Sequence, residues 1–253
     1  MQATHVIIVA GVLMAWGAVL AHGEALSVAA NTQVRNPYGV VTDATRSEYE
    51  MHKDVLVMTR CGGMGYMRVD WDWRVCQPTS GAAFDFSKYD RLVASAEKRG
   101  VTILPIIYGT PKWADPAWQH IDEYASFVSA TVSHYGMRIP VIEIWNEQNI
   151  PGFWRDPDPK RYVQLLRAAY KAAKSANPNV RVAMGGLAGW GLPFLESLYK
   201  EGLKDCCDIV NVHPYAYPNA PEQSFQREFA KLRELMAKEG DSGKPVWFTE
   251  VGW

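Results

Sequence analysis

The sequence has little cysteine and no surplus of charge of either sign. Four cysteines, Cys61, Cys76, Cys206 and Cys207, are spread over 253 residues. That is too few for a disulfide framework. Without a C-x-x-C pair, a zinc or redox centre lacks a ligand set, and no metal or cofactor is expected. Lys and Arg total 26 against 27 Asp and Glu, a formal net charge of −1. A phosphate-driven nucleic-acid binder needs a basic surplus, so that class is excluded. No G-x-G-x-x-G follows a strand pattern, which counts against a dinucleotide site. Gly62-Gly63-Met64-Gly65 comes before a strand rather than a helix and reads as a tight loop. No N-x-S/T sequon is present, and N-glycosylation is not expected.

Long apolar runs are also scarce. The one that exists, Val6 to Leu20, is uncharged and 15 residues long. It is short for a membrane span and suits the core of a signal peptide. Ala21-His22-Gly23 supplies the small residues of a cleavage site before Glu24. The reading is a leader over 1–23 and a single domain over 24–253. The mature chain is expected to be secreted or periplasmic, with no stable membrane association.

From residue 38 strand and helix patterns alternate. The expected strands are Gly39 to Val41, Gly65 to Val69, Val101 to Ile107, Val141 to Trp145, Val180 to Met184, Ile209 to Val212 and Pro245 to Thr249. Pro105 interrupts the third. The expected helices are Ser47 to Arg60, Ser87 to Arg99 with Ser87 as N-cap, and Trp118 to Tyr135. Pro159 to Ala176, Leu192 to Lys200 and Ser224 to Glu239 complete them. Strict alternation means parallel strands joined by helical crossovers. The fold class is α/β, a (β/α)8 TIM barrel that is truncated after its seventh strand and lacks its last repeat. In that fold Cys61 and Cys76 flank one strand at opposite ends, so no bridge between them is expected.

Chemistry in such barrels collects at the C-terminal ends of strands. The fourth ends in Trp145-Asn146-Glu147-Gln148-Asn149, and the seventh in Thr249-Glu250-Val251-Gly252-Trp253. Glu147 and Glu250 lie 103 residues apart, three repeats at the observed period. Two carboxyls converging on one cleft are what glycoside hydrolysis needs, one as acid and one as nucleophile. On the sixth strand Asn211, His213 and Tyr215 share a parity opposite to Val210 and Val212, which turns the polar set to the lumen. Tyr215 is placed to hydrogen-bond the nucleophile and Arg68 to hold it ionised. Asn146 is placed to grip a sugar hydroxyl. Glu143 shares parity with Glu147, sits deeper, and is expected to pair with Arg68. The chain is rich in aromatics, with 10 Trp, 12 Tyr and 8 Phe, which suits stacking against sugars. Trp71, Trp73, Trp113, Trp154 and Trp253 stand near strand ends as candidate platforms, Trp113 and Trp253 foremost. Trp247 is expected in the packing.

The strings IEIWNEQN (Ile142 to Asn149), HPY (His213 to Tyr215) and WFTEVGW (Trp247 to Trp253) resemble glycoside hydrolase clan A, most closely family 39 and its cellulase-like relatives. The likeness covers residues 38 to 253, with three motifs in the right order. It implies a retaining (β/α)8 enzyme acting on a β-linked poly- or oligosaccharide. It makes Glu147 the general acid/base and Glu250 the nucleophile, supported by Arg68, Asn146, His213 and Tyr215. The departure from the pattern is the missing eighth strand. The rival reading is an inactive truncated barrel that retains only carbohydrate binding. An aldolase-like barrel would want a lysine at a strand end, and none is found.

Overall fold

The computed structural model describes residues 6–7, 36–42, 57, 59–216, 218 and 220–252. Seven parallel strands build the described domain. They are β1 (Gly39–Thr42), β2 (Tyr66–Asp72), β3 (Thr102–Tyr108), β4 (Val141–Ile144), β5 (Arg181–Met184), β6 (Val210–His213) and β7 (Val246–Trp247). Strands β1 to β5 pair in sequence order, as do β6 and β7. A parallel bridge at Ala183↔Ile209 joins the two sets. The bonds Asp208 N–H to Val182 O (2.7 Å) and Met184 N–H to Ile209 O (3.1 Å) secure it. The strand order therefore runs unbroken from β1 to β7, the topology of a (β/α) barrel.

Two short strands were not expected. Leu187–Ala188 pairs with Val212–His213. Val6–Ile7 runs antiparallel to Gly39–Val40 on the outer edge of β1. The other residues of the apolar run, and of the leader expected over 1–23, lie outside the described residues. So does most of the helix expected over Ser47 to Arg60, of which 57 and 59–61 are helical.

Helices α1 (Ser87–Glu97), α2 (Ile121–Tyr135), α3 (Pro159–Ala176), α4 (Leu192–Lys200) and α5 (Phe225–Lys238) follow β2 to β6 in turn. Helix α3 shows why. Asp158 accepts from Arg161 N–H at its start, and Pro159 fits the first turn, where no N–H partner is needed. Tyr162, Val163, Leu165, Leu166, Ala169 and Ala173 then bury one stripe. Ser87 does not cap α1. Its own N–H is taken by Asp85 Oδ1, and Phe86 holds the cap position without a side-chain bond. Strand β3 runs straight through Pro105. Pairing with β4 begins only at Ile106, beyond the residue that lacks an N–H.

The barrel interior is layered. Tyr66, Leu104, Val141, Ala183, Ile209 and Trp247 form a separate apolar cluster, one side chain from each strand β2 to β7. It plugs the bottom of the lumen. Two residues further along the same strands the inward side chains become polar: Arg68, Glu143, Asn211 and Thr249, all buried. The alternation of a strand puts residues of one parity into one lumen. Outside the strands, a larger apolar core packs the helices. Two phenols from that core brace the mouth. Tyr124 donates to Ile107 O at 2.5 Å. Tyr162 donates to Ile144 O (2.9 Å) and accepts from Gly185 N–H (2.8 Å), tying α3 to the ends of β4 and β5. Burial raises both well above the usual phenol range, so they stay protonated donors.

Candidate active site

Asn146 and Glu147 are adjacent, yet both face the lumen. An extended strand would turn them to opposite sides. The chain manages it by leaving the strand at Ile144 and taking left-handed conformations at Trp145 (φ 71°) and Glu147 (φ 44°). Non-glycine residues are uncommon there, and such strain persists where the surroundings over-determine it. Here the surroundings are specific. Glu147 N–H donates to Gly186 O, Gln148 Nε2 donates to Gly185 O, and Asn149 exchanges two bonds with the Ala188 backbone. The Gln-Asn that follows the glutamate thus clamps this turn to the end of β5. Trp145 swings out of the lumen, donates to Phe153 O and packs edge-on against Trp154.

Arg68, rising from β2, is the centre of the site. Its Nε and Nη2 both donate to Glu143 at 2.8 Å, Nη2 also donates to Asn146 Oδ1 at 2.8 Å, and Nη1 donates to Glu250 Oε1 at 2.6 Å. The fork geometry of a guanidinium makes this possible, and a lysine could not reproduce it. Burial disfavours charge on Arg68, but Glu143 and Glu250 outweigh it and hold the group firmly protonated. Glu143 therefore sits deep and paired, as its parity implied.

Glu250 receives a second donor, Tyr215 Oη, on Oε2 at 2.8 Å. Burial alone would push this carboxyl up. The charge of Arg68 and the bonds from Tyr215 and Arg68 prevail, so it lies below its ordinary value of 4.5. Tyr215 is pushed the other way by burial and by Glu250, and remains a protonated donor. Glu147 has a different setting. Its Oε1 lies 3.0 Å from His213 Nδ1, which is also 3.8 Å from Glu250 Oε1. One carboxylate oxygen from each glutamate and the imidazole nitrogen all lie within 4.8 Å of one another.

That trio also has the donor types for a divalent cation. However, Glu250 Oε1 already holds Arg68 Nη1 at 2.6 Å. A metal would share that oxygen with a guanidinium, whose positive charge opposes its entry. The arrangement instead offers one carboxylate held ionised beside one that hydrogen-bonds an imidazole.

Arg68, Asn146, Glu147, His213, Tyr215 and Glu250 are thus brought together. Trp253 lies outside the described residues. Trp113 is half-buried, donates its indole N–H to Gln77 O, and packs edge-on against Trp73. None of its described contacts is with the carboxylates. Trp71, Trp73 and Trp154 are corrected as platforms, because each is at most 1% exposed. Trp71 and Trp73 share parity with Met67 and Val69 and face the helices, where Trp71 stacks on Tyr89. Trp247 belongs to the lumen plug, as expected.

Two contributors went unread in the sequence. Thr249 stands beside Glu250 in the quoted T-E string, and its parity with Trp247 is the available signal. Gly186 has no such signal. A Cβ built there would lie 2.0 Å from His213 Nε2, so only glycine lets β5 pass the imidazole.

No family model matches the chain. Over 122 residues it is 27% identical to a β-xylosidase of Geobacillus stearothermophilus, covering 44% of this chain and 24% of that protein. Among solved structures it is similar to a family 39 glycoside hydrolase from Bacteroides cellulosilyticus WH2. The TM-score is 0.70 at 22% identity, over 85% of this chain and 48% of that one. It is also similar to a family 39 β-xylosidase from Caulobacter crescentus, with a TM-score of 0.69 at 19% identity, over 85% of this chain and 53% of that one. The shared fold is the (β/α) barrel. The chain spans about a quarter to a half of the length of these relatives.

Proposed function

We propose that this domain carries the catalytic centre of a retaining β-glycosidase of clan A, in the manner of family 39. The observation that carries the reading is the pair of glutamates at the ends of β4 and β7, with carboxylate oxygens within 4.8 Å. Retaining enzymes hold their carboxyls about 5–5.5 Å apart, whereas inverting enzymes need about 6.5–9.5 Å to fit a water between them.

In the first step an oxygen of Glu250 attacks the anomeric carbon. The glycosidic bond breaks, and Glu147 passes its proton to the departing oxygen. In the second step Glu147 takes a proton from water. The water oxygen attacks the same carbon, and the ester bond to Glu250 breaks. Arg68 and Tyr215 donate to the departing carboxylate as its charge returns. Asn146 spends its Oδ1 on Arg68, which leaves its Nδ2 for a sugar hydroxyl. The similar β-xylosidases make a β-linked xylose residue the first substrate to try. The alignment of both carboxylates with their partners does not favour a binding-only barrel.

A 2-deoxy-2-fluoro-β-xyloside with a good leaving group tests this reading. It is expected to add one glycosyl group to the peptide containing Glu250. Proton NMR of normal turnover is expected to show the β-anomer released first. An adduct on another residue, or initial release of the α-anomer, would overturn the assignment.

The apolar run Val6 to Leu20 supports export to the periplasm or beyond. N-terminal sequencing of the protein made in its own host reads this. Glu24 as the first residue is the expected result, and a retained Met1 would sink it.

A further inference from the structure

His213 is fully buried, and its two ring nitrogens face different worlds. Nδ1 faces Glu147 Oε1 at 3.0 Å. Nε2 faces Thr249 Oγ1 at 3.0 Å. A neutral imidazole carries one proton, and the partner of one nitrogen decides where it sits.

The hydroxyl of Thr249 decides it. Asn211 Nδ2 donates to Oγ1 at 2.8 Å, which leaves the hydroxyl its own proton to place. Three acceptors lie in reach: His213 Nε2 at 3.0 Å, Asn211 Oδ1 at 3.1 Å and Glu143 Oε1 at 3.3 Å. Asn211 Oδ1 already accepts Thr249 N–H. Glu143 Oε1 already accepts from Arg68 Nη2 and from Gly186 N–H. Nε2 is the nearest of the three, and Thr249 is the partner its described bonds give it.

We propose that Thr249 is a positioning residue, whose hydroxyl donates to His213 Nε2 and so fixes the imidazole proton on Nδ1, facing Glu147. The consequence falls on the acid. With Nδ1–H donating to Oε1, the proton of Glu147 sits on its other oxygen, free for the leaving group. In the opposite tautomer Nδ1 is an acceptor and draws that proton to Oε1, toward the imidazole and away from the sugar. Thr249 sits next to Glu250 in sequence but acts on Glu147, so the same strand end serves both glutamates. The kinetic part of this inference rests on the glycosidase reading, and the tautomer does not.

The charged and titratable groups facing the imidazole are Glu147, Glu250 and, through Thr249, Glu143, with Arg68 behind them. Nitrogen-15 NMR of histidine-labelled protein, with His213 assigned by its loss in His213→Gln, reads the tautomer directly. Nδ1 is expected to be the protonated nitrogen in the parent and in Thr249→Ser. Thr249→Val should lose that fixed tautomer. Its kcat should fall roughly 10- to 100-fold, the range found when the partner that orients a metal-binding histidine is removed, while KM stays within about 3-fold. Thr249→Ser should restore kcat. A parent protonated at Nε2, or at both nitrogens, overturns the proposal without any variant having to fold. So does a Thr249→Val enzyme with unchanged kcat. A fixed Nδ1 proton in a chain that cleaves no glycoside would count against the glycosidase reading and leave the tautomer assignment standing.

Discussion

Glu250→Ala is expected to abolish turnover of every glycoside, whatever its leaving group. Removing a nucleophile lowers kcat by roughly 10⁴- to 10⁶-fold. The two neighbouring glutamates do not replace it: Glu143 is fully buried and committed to Arg68, and Glu147 is turned toward His213. Glu147→Ala should behave differently. The first step needs an acid only when the leaving group is poor. Aryl glycosides with acidic phenols should therefore still form the glycosyl-enzyme in a rapid burst, and the ester should then persist because no base activates water. On unactivated disaccharides the same variant should lose the roughly 10²- to 10⁴-fold that general acid catalysis supplies. The contrast is the test. Added azide, which needs no base, should restore turnover in Glu147→Ala and give a β-glycosyl azide. In Glu250→Ala it should fill the gap left by the carboxylate and give the α-azide. Slight and equal losses in both variants would remove the two glutamates from the mechanism.

The pair was readable in the sequence because barrel strands impose a parity. Along β6, Val210 and Val212 pack outward while Asn211 and His213 turn in. The same rule took Glu143 down to Arg68. It also held the answer for Trp71 and Trp73, which share the outward parity of Met67 and Val69. Nearness to a strand end does not say which way a side chain points. The turn after β4 was less legible. Nothing in Trp-Asn-Glu announces positive φ at two non-glycine residues, because the strain is imposed by clamps from Gly185, Gly186 and Ala188 some forty positions away. Gly186 was silent for a related reason. A glycine needed for close approach looks like any other until its neighbour, here His213 on the next strand, is known. The limits of α3 were plain from Pro159 at one end and Asn177-Pro178 at the other, since those signals are local. Ser87 is already inside the helix: its own N–H goes to Asp85, and the Tyr89 and Asp90 N–H groups go to Phe86 O, so its hydroxyl is not in the capping position.

Arg68→Met is the second substitution expected to act strongly, on stability and activity together. The methionine keeps much of the volume and removes the charge. Glu143, with no exposed surface, would be left with two carboxylate oxygens and, among the described residues, the Gly186 N–H and the Thr249 hydroxyl as hydrogen-bond partners. Breaking a buried pair by removing one partner costs about 3–5 kcal/mol, since the remaining charge is uncompensated. Chemical denaturation at neutral pH should read a loss of that size. The pH dependence carries a sign. In the parent Glu250 lies below 4.5, so its ionised form stabilises the fold above the unfolded carboxylate's value, and that contribution is lost as pH falls through the lower folded value. Without Arg68, the largest of the effects that oppose burial is gone, and burial then raises the carboxyl. The acidic limb of kcat/KM should therefore shift to higher pH in Arg68→Met. Arg68→Lys should shift it less, because a point charge can serve Glu250 or Glu143 but cannot fork to both and to Asn146. An acidic limb that stays where the parent has it would show that Arg68 does not hold Glu250 ionised. The double variant Arg68→Met with Glu143→Leu separates the two roles. Removing the stranded carboxylate should recover much of the stability, and it should leave the shifted limb in place because Glu250 still lacks its cation.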